Sequence, residues 1–267
     1  MKATKSKRML LQNKNGIQFL QFESFTAHNV MHGFFMRHGG VSLDPWRSLN
    51  LGGNNGDPRA NVVENRRRIF VALDRPVESL FDVWQVHSDT IICTDSPRQM
   101  DSDPLQADAI LTDNPDITLF MRFADCVPVC LFDPVTQVAG MIHAGWPGTV
   151  KKITYKTVLK MVKNYGSKPE NIIAGIGPSI CVNHFEIKKD VIEQVINHLS
   201  PDGDRFLVHQ DGRTYFNLQT ANEYQLNLAG VIKVETAGVC TACNTKDWFS
   251  HRGEKGSTGR FGALLAL

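Results

Sequence analysis

Long apolar runs are absent from this 267-residue chain, and no stretch approaches the roughly 20 apolar residues of a membrane span. The N-terminus, MKATKSKRMLLQNKNG, is basic, but its apolar portion runs only from Met9 to Leu11. A secretory signal needs an apolar region of roughly 7–15 residues, so none is expected. Charge of a single sign is also missing: 29 basic residues face 27 acidic ones, for a net charge of +2. That balance gives no electrostatic reason to expect nucleic acid or a membrane surface as a partner. Cysteine is sparse, with six residues at 93, 126, 130, 181, 240 and 243, too few for a disulfide scaffold at this length. Together these absences predict a soluble, cytoplasmic protein whose thiols are reduced, and so structural, catalytic or metal-bound.

What is present is ordinary globular material, with 42% hydrophobic and 21% charged residues, which excludes bulk disorder. Residues 1–15 read as a loose lead-in that ends at the turn signal Asn15-Gly16, and 16–267 as a single catalytic domain. Strands are expected at 17–25, 28–36, 81–86, 90–93, 107–111, 118–121, 127–132, 138–143, 171–176 and 231–236. The two at 81–86 and 90–93 read as neighbours joined by the tight polar turn His87-Ser88-Asp89. Helical spacing of apolar residues marks 61–73, 149–165, 188–199 and 216–228, with Asp57 and Asn217 as N-caps of the first and last. The apolar tail, 261–267, is expected to tuck into the core. Residues 44–58 are rich in Gly, Pro, Asn and Asp and read as a loop. The fold class is α/β, one compact domain of mixed sheets flanked by helices.

Reactive side chains sit at three junctions of strand and turn: Trp84-Gln85-Val86-His87, Ala124-Asp125-Cys126 and Ile142-His143-Ala144-Gly145. The separations, 39 residues from His87 to Cys126 and 17 more to His143, fit no local zinc-finger pattern. These residues form a site only if the fold brings them together. Two imidazoles and a thiolate would then suit zinc in its catalytic form, which keeps a fourth position open. A metal-free alternative uses the same residues, with Cys126 as nucleophile, His143 or His87 as base and Asp125 as orienter. Cys240-Thr241-Ala242-Cys243 stands as a lone CxxC without a partner pair, which argues against a structural zinc site there. Gly52, Gly53 and Gly56 lack the Lys-Ser/Thr of a phosphate-binding P-loop. Arg252 and Arg260, among glycines near the C-terminus, suit an anionic or polar ligand.

Several motifs then occur in a telling order: NLGGNNGD (50–57), ENR (64–66), WQVH (84–87), ADAILT (107–112), ADCVPV (124–129), HAGW (143–146), GIGPSI (175–180) and WFSHR…TGR (248–260). From about residue 30 onward the chain resembles the YfiH/laccase-domain family, known as multicopper polyphenol oxidoreductases and as purine nucleoside phosphorylases. The resemblance implies a compact α/β domain with mixed sheets. It implies zinc, with copper as the alternative metal, held by His87, Cys126 and His143. It also implies purine nucleosides and phosphate as partners, with phosphorolysis of adenosine, inosine, guanosine and methylthioadenosine and deamination of adenosine. Asn50, Gln85, Arg252 and Arg260 are the expected substrate contacts, and Asp125 the expected proton shuttle.

One departure stands out. The family often carries a basic residue after HAGW, where this chain has Pro147. If that residue holds an anion, Arg252, Arg260, Arg37 or Arg66 must replace it. Two rival activities use the same residues: a cell-wall precursor editing hydrolase with Cys126 as nucleophile, and a copper-dependent, laccase-like polyphenol oxidase. The second needs many histidine ligands, and nine scattered histidines with no His-x-His argue against it.

Overall fold

Strands that read as unbroken apolar runs are buried on both faces here, and they set the architecture. The computed structural model describes residues 9–99 and 101–267. Among these, the strands form two six-stranded sheets and one of three strands. In spatial order the first sheet is β1 (Leu10–Lys14), β2 (Ile17–Gln21), β3 (Met31–Phe35), β15 (Phe261–Ala266), β7 (Thr118–Phe123) and β4 (Leu80–Asp82). The second is β14 (Lys233–Thr236), β10 (Ile173–Ile176), β8 (Val127–Asp133), β9 (Val138–Ala144), β6 (Ala109–Thr112) and β5 (Ile91–Cys93). Both are mixed, since β4–β7, β5–β6 and β10–β14 pair parallel while the other pairs are antiparallel. A small sheet of β11 (Glu186–Ile187), β13 (Arg213–Phe216) and β12 (Leu207–Gln210) lies apart from them.

The side-chain alternation along β8 explains how the layers stack. Val127, Val129 and Leu131 join one apolar cluster with the helices α4 (Ile153–Tyr165) and α6 (Leu218–Leu228). Cys130 and Phe132 join a second, with Leu119, Met121 and Phe123 of β7 and Phe261, Ala263 and Leu265 of β15. On the far side of the first sheet, Phe120 and Leu264 meet Ile69 and Phe70 of α2 (Arg59–Ala72). The result is a single domain of four layers, helix, sheet, sheet and helices. Each fully buried Val, Leu, Ile or Phe contributes about 1.5–3 kcal/mol. The expected α/β class with mixed sheets and flanking helices is the observed one.

Five local expectations change. The strand expected at 17–25 stops at Gln21, and the short helix α1 (Glu23–Ala27) follows. The lead-in predicted for 1–15 is a strand from Leu10, because Asn15 and Gly16 both take positive φ (54° and 79°) and close a hairpin onto β2. Residues 1–8 of that lead-in lie outside the described residues. Asp57 is not the N-cap of α2, which follows Pro58 with no side-chain cap. Its carboxylate instead accepts hydrogen bonds from Ser42, Asn50 and Asn61. The helix predicted for 149–165 is two, α3 (Trp146–Val150) and α4, broken where Lys152 turns left-handed (φ 62°). Finally, β4 and β5 are not neighbours: each is the edge of a different sheet, and the segment with His87 crosses between them. The helices α1 (Glu23–Ala27) and α5 (Lys189–His198) complete the chain, and Asn217 caps α6 as expected, accepting from the Thr220 N–H.

Candidate active site

The antiparallel register of β8 and β9 sets the site. Val127 lies opposite Ala144 and Pro128 opposite His143, so Cys126, one residue before β8, comes alongside His143. His87 arrives from the crossing between the sheet edges, with φ at 59°, a conformation His tolerates better than bulkier residues. One donor atom from each of His87, Cys126 and His143 lies within 4.8 Å of the others. Cys126 Sγ is 3.7 Å from His87 Nε2. The three residues singled out in the sequence therefore meet, although 56 positions separate the first from the last.

His143 is oriented by Asp108, not by Asp125. Its Nδ1 lies 2.8 Å from Asp108 Oδ1, which directs Nε2 toward Cys126 and His87. Asp108 precedes β6, which pairs with β9, and the His143 N–H also donates to the Asp108 carbonyl at 2.8 Å. The other Asp108 oxygen accepts from the Ser88 N–H, the Ser88 hydroxyl and the Val86 N–H, so the same carboxylate holds the loop that carries His87. Burial alone would raise the Asp108 pKa, but His143 and the Ser88 donors outweigh it and hold it low. Burial would likewise raise the Cys126 thiol, yet His143 and His87 pull it down to about 6. Burial disfavours the charged His143, while Cys126 and Asp108 push it up to about 9.

This soft donor set, with its open side on a cleft, can hold a metal ion. Gly145 lets the His87 and Cys126 side chains close in, since a Cβ there would stand 2.6 Å from His87 Cδ2 and 3.1 Å from Cys126 Sγ. The cleft has two compartments, and His87, His143, Arg122 and Arg260 line both. One, of about 430 Å³, is walled by Arg66, Arg98, Arg122 and Arg260. The buried Asp82 binds three of these, with Arg98 Nε at 2.6 Å, Arg66 at 3.8 Å and Arg122 at 3.9 Å. Four guanidiniums against one carboxylate leave this compartment with a surplus of positive charge. Burial, with Arg122 and Arg98 close by, lowers Arg66 to about 10, so it stays charged at neutral pH. The other compartment, of about 290 Å³, is walled by Trp146, Ile180, Phe185 and Leu218, with His251 and Arg252 beside them.

The remaining predicted contacts divide. Arg260 reaches both compartments, and Gln85 lines the arginine-rich one, where its amide accepts from the Arg122 N–H and donates to the Arg122 carbonyl. Arg252 lines the aromatic compartment, with its guanidinium over Phe185 and donating to the His184 and Glu186 carbonyls. Asn50 is wholly buried and acts at one remove, since its Oδ1 accepts from the N–H groups of Gly52 and Arg260. Asp125 is fully engaged by Thr241, Ser250 and the Arg252 N–H, at 2.6–2.7 Å, so its carboxylate ties the C-terminal loop to the site. Of the arginines named as substitutes at Pro147, Arg66 and Arg260 line the arginine-rich compartment. Arg37 is held by Glu254 and stacked on Phe249. Sequence reasoning missed Asp108, Arg98, Arg122 and Asp82; the ADAILT motif was the one signal for Asp108. It also took the CxxC as solitary, whereas Cys240 and Cys243 face Cys181 and His184.

The family described as multi-copper polyphenol oxidoreductase laccase matches residues 31–267, from the start of β3 to the C-terminus. A protein of Deinococcus radiodurans named purine nucleoside phosphorylase is 37% identical over 238 residues, 89% of each chain. The crystal structure of YlmD from Geobacillus stearothermophilus is 30% identical with a TM-score of 0.90, over 97% of this chain and 98% of that one. That of the Bacillus licheniformis hypothetical protein YfiH is 31% identical with a TM-score of 0.89, over 96% of this chain and 98% of that one. The motifs, the four-layer fold and the likeness along most of its length agree, and the chain belongs to the YfiH/laccase-domain family.

Proposed function

We propose that the protein is a zinc-dependent purine nucleoside phosphorylase that takes phosphate in the arginine-lined compartment and the nucleoside in the aromatic one. The observation that carries this reading is the meeting of the two compartments at His87 and His143, with Arg122 and Arg260 lining both and Cys126 on the aromatic side. Four buried or half-buried guanidiniums match the charge and oxygen geometry of a phosphate. Trp146 and Phe185 offer faces for a purine. In this reading a phosphate oxygen, steered by the arginines, forms a bond to ribose C1′ as the bond from C1′ to the purine nitrogen breaks. The purine departs with the electron pair and takes up a proton on its ring, leaving ribose 1-phosphate. Arg260 stands at the boundary, where its charge offsets that of both phosphate and leaving base.

Zinc suits the donor set on chemistry and distance: a tetrahedral ion with sulfur at 2.3 Å and nitrogen near 2.0–2.1 Å needs a sulfur–nitrogen edge of about 3.6 Å. The edge from Cys126 Sγ to His87 Nε2 is 3.7 Å. Bound at these three residues, zinc would supply Lewis acidity at its open fourth position. Asp108 fixes the His143 ring and the His87 loop, and Asp125 positions the C-terminal loop. The same arrangement supports deamination of adenosine, with water replacing the 6-amino group as ammonia. The apolar side chains of Ile180, Phe185 and Leu218 would suit the methylthio group of methylthioadenosine. The copper oxidase reading has the family description behind it alone, because neither metal-ligand cluster among the described residues contains more than two histidines.

The test is base release from inosine by zinc-loaded protein, with and without phosphate. Phosphorolysis yields hypoxanthine and ribose 1-phosphate in proportion to phosphate. Release of free ribose at a rate independent of phosphate, or no turnover of any purine nucleoside, would overturn the proposal. Ammonia from adenosine and adenine from methylthioadenosine test the two further activities.

A further inference from the structure

Outside the cleft, four more soft ligands converge on one point. Cys181 and His184 lie in the segment after β10, and Cys240 and Cys243 in the segment after β14, so 56 residues separate His184 from Cys240. A parallel bridge from Ser179 to Cys240 brings the two segments together. His184 Nδ1 lies 3.3 Å from Cys181 Sγ, 3.5 Å from Cys243 Sγ and 3.9 Å from Cys240 Sγ. All four donor atoms lie within 4.8 Å of one another. The sulfur–nitrogen edge of a zinc tetrahedron is about 3.6 Å, and the three observed edges bracket it.

The surroundings fit a metal-held thiolate. Cys240 Sγ accepts backbone N–H groups from Cys181 at 3.2 Å and Cys243 at 3.4 Å, donors that favour negative charge on sulfur. The Asn244 side chain donates to the Cys240 carbonyl at 2.8 Å and closes the turn. Each segment offers its ligands as the first and fourth residues of a short turn, Cys181-x-x-His184 and Cys240-x-x-Cys243, the spacing of closed structural sites. Cys240 is buried while Cys243 and His184 are exposed, which leaves a route for the ion to enter.

We propose that Cys181, His184, Cys240 and Cys243 form a second, structural zinc site that is closed by four protein ligands and distinct from the open three-ligand site in the cleft. Its place in the fold defines its task. The first segment carries Ile180 and Phe185 of the aromatic compartment, and the second carries Thr241, which donates to Asp125. Arg252 links both, donating to the His184 carbonyl through its guanidinium and to Asp125 through its N–H. A metal joining the two segments braces the compartment wall from behind.

The test is metal content of the full-length chain, purified under reducing conditions with zinc chloride and then desalted. A His87→Ala/Cys126→Ala variant should retain about one zinc per chain, and Cys240→Ser/Cys243→Ser should lose one relative to the unaltered protein. A folded His87→Ala/Cys126→Ala variant with no zinc would overturn the proposal. Because the serine variant could fail to fold, alkylation of the unaltered protein supplies a second measurement. Zinc should slow modification of Cys181, Cys240 and Cys243, and equal rates with and without zinc would count against the site. A disulfide between Cys240 and Cys243 in the zinc-treated, reduced protein would overturn it as well.

Discussion

Asp108 Oδ1 sits 2.8 Å from His143 Nδ1 in a fully buried position, and the opposite oxygen of the same carboxylate holds the Ser88 N–H and hydroxyl. One side chain therefore fixes the ring of one histidine of the cluster and the loop of the other. Replacing Asp108 with Asn keeps the size but removes the charge and one acceptor. Zinc affinity at the cleft site is expected to fall about 10–100-fold, as for other carboxylates that orient ligand histidines. Competitive zinc titration against a chromophoric chelator checks this, and an unchanged affinity would remove Asp108 from the role.

Gly145 leads into α3 with φ −70° and ψ 169°, angles open to any residue, so alanine there adds no backbone strain. The new methyl would instead stand 2.6 Å from His87 Cδ2 and push the ligands apart. Gly145→Ala is expected to weaken cleft zinc about tenfold or more while the metal-free protein melts near its usual temperature. Calorimetry with and without zinc distinguishes this from a general loss of stability.

Asp82 is 1% exposed and anchors Arg98, Arg66 and Arg122. Removing it leaves buried guanidiniums without their counter-charge, so Asp82→Ala should cost about 3–5 kcal/mol in denaturant unfolding. Phosphate bound in that compartment would replace part of the lost charge. Added phosphate should then raise the melting temperature of the variant more than that of the unaltered protein. An equal response in both would show that phosphate does not bind beside these arginines.

His32 in β3 is buried against Phe22 and Phe25, with Nε2 accepting the Phe22 N–H at 2.7 Å and Nδ1 donating to the Val30 carbonyl at 2.9 Å. Burial lowers its pKa to about 4, against the opposing effect of the Val30 carbonyl. The unfolded chain takes up the proton near 6.5, the ordinary histidine value, and the folded chain only near 4. Stability is therefore intact above about pH 6.5 and is lost as pH falls through about 4, by about 3 kcal/mol in all. The difference in unfolding free energy between the unaltered protein and His32→Gln, measured from pH 7 to 4.5, should shrink on the acid side. A difference that is constant with pH would rule out this contribution.

Local pattern carried much of the fold. The strands β7, β8 and β9 stand where apolar runs placed them, the Asn217 cap holds α6, and the apolar tail became β15 in the middle of a sheet. The errors came where a segment's partner was remote. The sequence around His87 looks like a hairpin turn, but its flanking strands pair with β7 and β6, and no short-range signal distinguishes those alternatives. Asp125 looked like the site carboxylate because it adjoins Cys126. Its donors come from Thr241, Ser250 and Arg252, over a hundred positions away, while Asp108 reaches the ligands through the pairing of β6 with β9.

The scarcity of long apolar runs, the balanced charge and the reactive residues at strand ends were all decided by the sequence alone. So was the donor chemistry that His87, Cys126 and His143 can offer, since that depends on residue type. Which acid orients them, how Arg98 and Arg122 join Arg66 and Arg260 in one compartment with Asp82, and how a solitary-looking CxxC finds Cys181 and His184 were decided only by the tertiary structure. The reason is physical. A side chain states its chemistry locally, but its charge environment and coordination geometry depend on neighbours that sheet pairing brings from elsewhere in the chain.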